Sequence, residues 1–97
     1  MSGQYDRTEL LLGAGALRIL RQSRVAVFGL GGVGGYVVEA LARSGIGTLD
    51  LVDNDRISVS NINRQLLATH RTVGRFKTDA ALERVRDIDP SITVHAR

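Results

Sequence analysis

The apolar, β-branched run Val25-Ala26-Val27-Phe28 leads without a break into Gly29-Leu30-Gly31-Gly32-Val33-Gly34, after which apolar residues fall at Val37, Val38, Leu41 and Ala42. A strand-like run, a G-x-G-x-x-G turn and a helical spacing, in that order, make the strand-turn-helix unit of nucleotide-binding α/β folds. Few folds remain open to such a chain, because a helix leaving the end of a strand returns it to a parallel neighbour by a right-handed crossover. Gly45-Ile46-Gly47 stops the helix, and Leu49, Leu51 and Val52 supply the returning strand. We expect the first strand to be buried on both faces, as strands of parallel sheets are.

Upstream, Leu10, Leu11, Leu12, Leu17, Ile19 and Leu20 keep a helical spacing interrupted by Gly13 and Gly15, which predicts one broken helix or two short ones. Downstream, Ser60 is the expected N-cap of a short helix over 61–68. A longer helix is expected from about 76 to 88, with Ala80, Ala81, Leu82, Val85 and Ile88 inward. Asp89-Pro90 ends it, and Ile92 to Ala96 alternates as a third strand. This order predicts an α/β chain: the N-terminal half of a Rossmann-like doubly wound fold, with three parallel strands in the order 3-2-1 and flanking helices, in one domain over residues 1–97. A first strand left as an open edge exposes backbone groups. We therefore expect the chain to be the N-terminal portion of a protein of about 200–300 residues, inactive by itself, or to cover that edge by oligomerising.

Composition removes several classes of function. No cysteine occurs, so disulfides, Cys-ligated metals and a Cys nucleophile are excluded within these residues. The apolar runs fall far short of the roughly 20 residues of a membrane span, and no basic-then-apolar leader opens the chain, so we expect a cytoplasmic protein without a membrane partner. Net charge is +3, with the basic residues scattered rather than clustered, and twelve of the 13 are Arg, leaving Lys77 as the only lysine. A solvated surface explains that charge as well as a nucleic acid does.

In the glycine turn, Gly29 permits the tight bend, Gly31 lets backbone approach a phosphate, and Gly34 allows close helix–strand packing, with Gly32 between them. Free amides at the helix start then face an anion that the helix dipole also favours. Asp53, at the end of the second strand, is placed to accept hydrogen bonds from ribose hydroxyls. NAD, FAD, S-adenosylmethionine and ATP all use such a turn, and a turn without ligand remains the plain alternative. The discriminating residues come later, in Ser60-Asn61-Ile62-Asn63-Arg64-Gln65 and Lys77. Asn61 and Arg64 are three apart, so a helical turn places them on one face. Arg64 can fork onto a polyphosphate and Lys77 can add a point charge. Two cations beyond the turn suit a triphosphate better than a dinucleotide, although both also suit a solvated surface. Asp55 can reach Mg²⁺ directly or through water, or merely shape its turn. No residue is assigned to a metal held by protein alone, and His70 and His95 are read as structural or surface residues.

Phe28 to Gly34, Asp53-Asn54-Asp55, Ser60 to Gln65, Val73-Gly74-Arg75-Phe76-Lys77 and Ile88-Asp89-Pro90 together resemble the adenylating domain of the ThiF/MoeB/HesA family, relatives of the ubiquitin-activating enzymes. The resemblance covers almost the whole chain. It implies binding of ATP with Mg²⁺, attack of a substrate carboxylate on the α-phosphate, and release of pyrophosphate to leave an acyl-adenylate. By position it implies Gly31 against the phosphates, Asp53 on the ribose, Asn61, Arg64 and Lys77 on the triphosphate, and Gln65 in support. Arg7 falls where the family has an arginine that reaches the partner subunit's nucleotide, which implies a homodimer. Glu39 to Gly47, the wording of Asn61 to Gln65 and the start Arg7 to Gly13 are most similar to the tRNA threonylcarbamoyladenosine dehydratases, which implies tRNA as substrate and a cyclising loss of water. Gly35 stands where that subgroup more often carries Ser. The alternative within the family is adenylation of a small sulfur-carrier protein's C-terminus for thiamine or molybdopterin synthesis. An NAD-dependent dehydrogenase accounts for the glycine turn and Asp53 but leaves Asn61 to Gln65 unexplained, and a non-catalytic nucleotide-binding module is the remaining reading.

Overall fold

The computed structural model describes residues 3–97. Helices α1 (Asp6–Leu12) and α2 (Ala14–Gln22) precede β1 (Arg24–Phe28), α3 (Val33–Ser44) and β2 (Thr48–Val52). A single 3₁₀ turn (Val59–Asn61), α4 (Lys77–Ile88) and β3 (Thr93–Ala96) follow. Gly13 separates α1 from α2, so the broken apolar spacing resolves into two short helices. The three strands are parallel in the order β1-β2-β3, which is the expected order read from the other edge.

Helices α3 and α4 pack side by side on one face of the sheet. Val38 and Ala42 of α3 and Ala80, Ala81 and Val85 of α4 join Val27, Leu49 and Leu51 in the core. Leu49 and Leu51 are fully buried, and each stabilises the fold by about 1.5–3 kcal/mol relative to exposure. Glu39 of α3 ties the two helices together at the surface. It accepts from Arg84 Nε at 2.8 Å and Nη2 at 3.0 Å, and from Arg43 Nε at 2.7 Å. The Arg84 hydrogen bond, opposed by burial and joined by Arg43, lowers the Glu39 pKa to about 2.

Two expectations are corrected. The first strand is buried on one face only: Val27 is in the core, whereas Arg24, Ala26 and Phe28 are exposed, Phe28 at 76%. Both covering helices lie on the Val27 side, and no element among the described residues covers the other. On that open face Asp50, level with Ala26, is clasped by Arg24 through Nε at 2.6 Å and Nη2 at 2.8 Å, which holds its carboxyl below the usual range. The second correction concerns 61–68, which is not helical. Ser58 rather than Ser60 heads a single 3₁₀ turn, its N–H donating to Asn61 Oδ1 at 2.9 Å. Ser and Asn side chains offer the backbone local partners that compete with a helix ladder, and Thr72 takes the Leu67 carbonyl at 2.7 Å.

The N-terminal helices dock at the end of the sheet where the strands begin. Tyr5, 3% exposed, places its hydroxyl 2.6 Å from Asp89 Oδ2 and 2.9 Å from the Ala42 carbonyl. Burial, then the Asp89 contact, raises the Tyr5 pKa. Asp89 also accepts from Ser91 N and Oγ, and these donors outweigh its own burial to keep its carboxyl low.

Candidate functional site

At the opposite end of the sheet, where β1 stops, Gly29 adopts φ +85° while its N–H extends the ladder to the Val52 carbonyl at 2.9 Å. A side chain is disfavoured there by conformation, since a Cβ would meet nothing. Gly34 is constrained by space: a Cβ would stand 1.7 Å from the Gly29 carbonyl oxygen. At Gly35 a Cβ would come 3.2 Å from the Leu30 carbonyl oxygen, so a Ser in its place needs only a small local shift. Between these residues, the N–H groups of Gly31, Gly32 and Val33 donate to no other atom among the described residues. They open a twelve-residue helix, where unsatisfied donors and the dipole both favour an anion.

Asp53 supports the turn. Its Oδ2 accepts from Leu30 N at 2.7 Å and its Oδ1 from Asp55 N at 2.8 Å, so the acid assigned to a ribose also ties the end of β2 to the glycine turn. Each carboxylate oxygen keeps a further lone pair for a hydroxyl donor.

The later polar residues divide. Gln65 and Lys77 converge on the glycine turn: a Cβ on Gly31 would lie 2.9 Å from Gln65 Nε2 and 3.2 Å from Lys77 Nζ. Lys77 opens α4, is 8% exposed, and has Asp55 Oδ2 as its nearest carboxylate at 4.0 Å. Asn61 and Arg64 stay on the neighbouring turn with partners of their own. The Asn61 side-chain oxygen Oδ1 accepts from Ser58 N, and Arg64 Nη1 donates to the Ser60 carbonyl and Asn63 Oδ1, both at 2.9 Å. Arg64 is exposed, so its guanidinium can swing away from these contacts. Arg7 is exposed on α1 at the far end of the sheet and is not brought to this group.

Sequence reasoning missed the pairing of Arg56 with Phe76, which face each other across a short antiparallel bridge that brings Lys77 N to the Asp55 carbonyl at 3.0 Å. Two cues lay in the sequence: an aromatic residue directly before the only lysine, and a basic residue directly after Asp55. Among the described residues, no group of three or more His, Cys, Asp or Glu is gathered to hold a metal, and no helix is long and apolar enough to cross a membrane.

The ThiF family model matches residues 5–97. The chain belongs to the ThiF family. Among curated ThiF relatives, the tRNA threonylcarbamoyladenosine dehydratase of Bacillus subtilis (strain 168) is 48% identical over 96 residues, covering 99% of this chain and 38% of that protein. The adenylyltransferase and sulfurtransferase uba4 of Aspergillus clavatus is 45% identical over 74 residues, 76% of this chain and 15% of its own length. The solved E. coli tRNA N6-threonylcarbamoyladenosine dehydratase in complex with ATP superposes with a TM-score of 0.95 at 39% identity, over 97% of this chain and 39% of that one. The chain thus spans about two fifths of the length of the dehydratases it matches.

Proposed function

We propose that the protein carrying this chain uses ATP to adenylate a substrate carboxylate, and that the carboxylate is that of threonylcarbamoyladenosine in tRNA, which then closes to a cyclic form by expelling AMP, with net loss of water. The observation that carries the adenylation reading is the convergence of Gln65 and Lys77 on Gly31. A buried cation at that point suits a triphosphate better than a dinucleotide, whose pyrophosphate carries less charge. The 48% identity to a dehydratase across nearly the whole chain supports the choice of substrate.

The residues fit ATP. The free N–H groups of Gly31, Gly32 and Val33 would cradle a phosphate, Asp53 would take the ribose, and Asn61, Arg64, Gln65 and Lys77 would surround the triphosphate. Mg²⁺ would arrive with the nucleotide and neutralise phosphate charge, with the exposed Asp55 able to join its coordination directly or through water. The carboxylate oxygen attacks the α-phosphorus, the bond to the bridging oxygen breaks, and pyrophosphate leaves with that electron pair. Positioning and charge neutralisation supply most of the acceleration. Lys77 and Arg64 would hold the charge that grows on the departing pyrophosphate, and Arg7 would complete the partner's site in a homodimer. A tRNA substrate fits a cytoplasmic location.

The test is incubation of the full-length protein with ATP, Mg²⁺ and tRNA bearing threonylcarbamoyladenosine, followed by digestion and mass analysis of the nucleosides. Loss of one water that depends on ATP and on Arg64 supports the proposal. An unchanged nucleoside with ATP bound overturns the tRNA substrate. The resemblance to uba4 then directs the test to pyrophosphate release with a sulfur-carrier protein's C-terminus.

A further inference from the structure

From Arg56 to Thr78 the sequence carries five cations and no carboxylate. The proposed adenylation uses Arg64 and Lys77, and Glu83 engages Arg75 at 3.0 Å. Arg56 is held in a different way. Its Nη1 donates to the Gly74 carbonyl at 2.8 Å, and its guanidinium lies 4.0 Å from the centroid of the Phe76 ring. Phe76 is 39% exposed and Arg56 is exposed, so the pair forms a flat, positively charged surface open to solvent. It adjoins the proposed phosphate site, because the residues next to it on the two bridged segments are Asp55 and Lys77.

This inference rests on the tRNA reading above. Proteins that recognise single-stranded RNA take up bases splayed out of the stack, and presenting a modified adenosine in this way uncovers the faces of neighbouring bases. Uncovered bases stack on aromatic rings and on guanidinium planes, and a cation beside them meets the backbone phosphates. We propose that Arg56 and Phe76 form a stacking platform for an unpaired base of the RNA substrate, next to the nucleotide that bears the carboxylate. The pair is a positioning device, outside the groups assigned to ATP.

The experiment measures binding of threonylcarbamoyladenosine-bearing tRNA to the full-length protein by filter retention at fixed salt with AMP present, alongside ATP affinity by calorimetry. Arg56→Ala and Phe76→Leu are expected to weaken tRNA binding roughly tenfold while ATP affinity holds. Arg56→Lys keeps the charge without the plane and is expected to weaken tRNA binding as well, whereas Phe76→Tyr keeps the ring and restores it. Wild-type tRNA affinity in Arg56→Lys and Phe76→Leu overturns the platform. So does a parallel loss of ATP affinity, which would assign the pair to the adenine of ATP. A wild-type protein that neither binds nor dehydrates the tRNA fails the functional proposal and the platform with it. A wild type that dehydrates, beside variants that bind equally well, fails the platform alone.

Discussion

Gly31→Ala separates the requirements of the fold from those of the nucleotide. Gly31 does not need a positive φ, so alanine fits its backbone. The added Cβ would stand 2.9 Å from Gln65 Nε2, 3.1 Å from Gln65 Cδ and 3.2 Å from Lys77 Nζ, all near the ends of flexible side chains that yield by tenths of an ångström. Folding stability should therefore change by no more than about 1 kcal/mol. Nucleotide binding should suffer more, because the methyl group pushes aside two of the groups proposed to meet the phosphates. Loss of one hydrogen bond to a charged group is worth about 1.5–3 kcal/mol, or roughly 10- to 100-fold in affinity. Gly34→Ala is the contrasting variant: its Cβ would fall 1.7 Å from the Gly29 carbonyl oxygen, which moves only if the backbone does. A cost of about 3 kcal/mol or more is expected there. Calorimetry with ATP and thermal melting of both full-length variants provide the assay. Wild-type ATP affinity in Gly31→Ala, or a fall in its Tm as large as that of Gly34→Ala, would refute the reasoning.

Arg64→Ala should leave the folding stability within about 0.5 kcal/mol of wild type, since its contacts are local and exposed, while single-turnover rates of adenylation fall by orders of magnitude. Asp53→Ala should weaken ATP binding and also loosen the glycine turn, because Leu30 N and Asp55 N both lose their acceptor; a lower Tm together with a higher ATP Kd is expected by calorimetry. Glu39 is ionised down to about pH 2 in the folded chain, so its contribution is present above its ordinary pKa near 4.5 and drains away as pH falls from there towards 2. Glu39→Gln should accordingly cost about 1 kcal/mol at pH 7, after allowance for solvent around Arg84, and progressively less as pH falls through 2, as read by urea denaturation.

The strand, turn and helix were legible because period and glycine spacing are local signals. So was the parallel order, which follows from the crossover. What escaped the sequence depends on partners distant along the chain. Asp50 in mid-strand gives no sign of Arg24, which becomes its neighbour only when β1 and β2 align. Tyr5 meets Asp89 across 84 positions. The segment 61–68 departs from the helix that Ser60 suggests for a physical reason: Leu67 and Ala68 are drawn into the core while Ser58, Asn61 and Thr72 take backbone bonds that a helix would need. In the candidate site, residue types and rough positions were readable. The actual convergence was not, for Gln65 and Lys77 reach Gly31 while Arg64 turns back on its own loop.

The two ends of the sheet carry opposite electrostatic logic. At the end where the strands begin, the Tyr5 hydroxyl and both Asp89 oxygens have partners. At the other end, three N–H groups find no acceptor among the described residues, and a buried lysine opens a helix, where the dipole opposes a cation by about 0.3–1 kcal/mol. A fold gains nothing from that arrangement unless an anion arrives to reverse it. An anion bridging the start of α3 and Lys77 would satisfy the donors, offset the opposed charge and tie the glycine turn to α4 at once. Ligands that bind only the folded state stabilise it by mass action, about 2.7 kcal/mol at a hundred times Kd. Pyrophosphate alone should therefore raise the Tm of the full-length protein in a concentration-dependent way. Lys77→Ala should keep a melting transition near that of the unliganded wild type and lose most of this response. If pyrophosphate raises the Tm of Lys77→Ala as much as that of wild type, the anion sits elsewhere and the buried lysine requires another explanation.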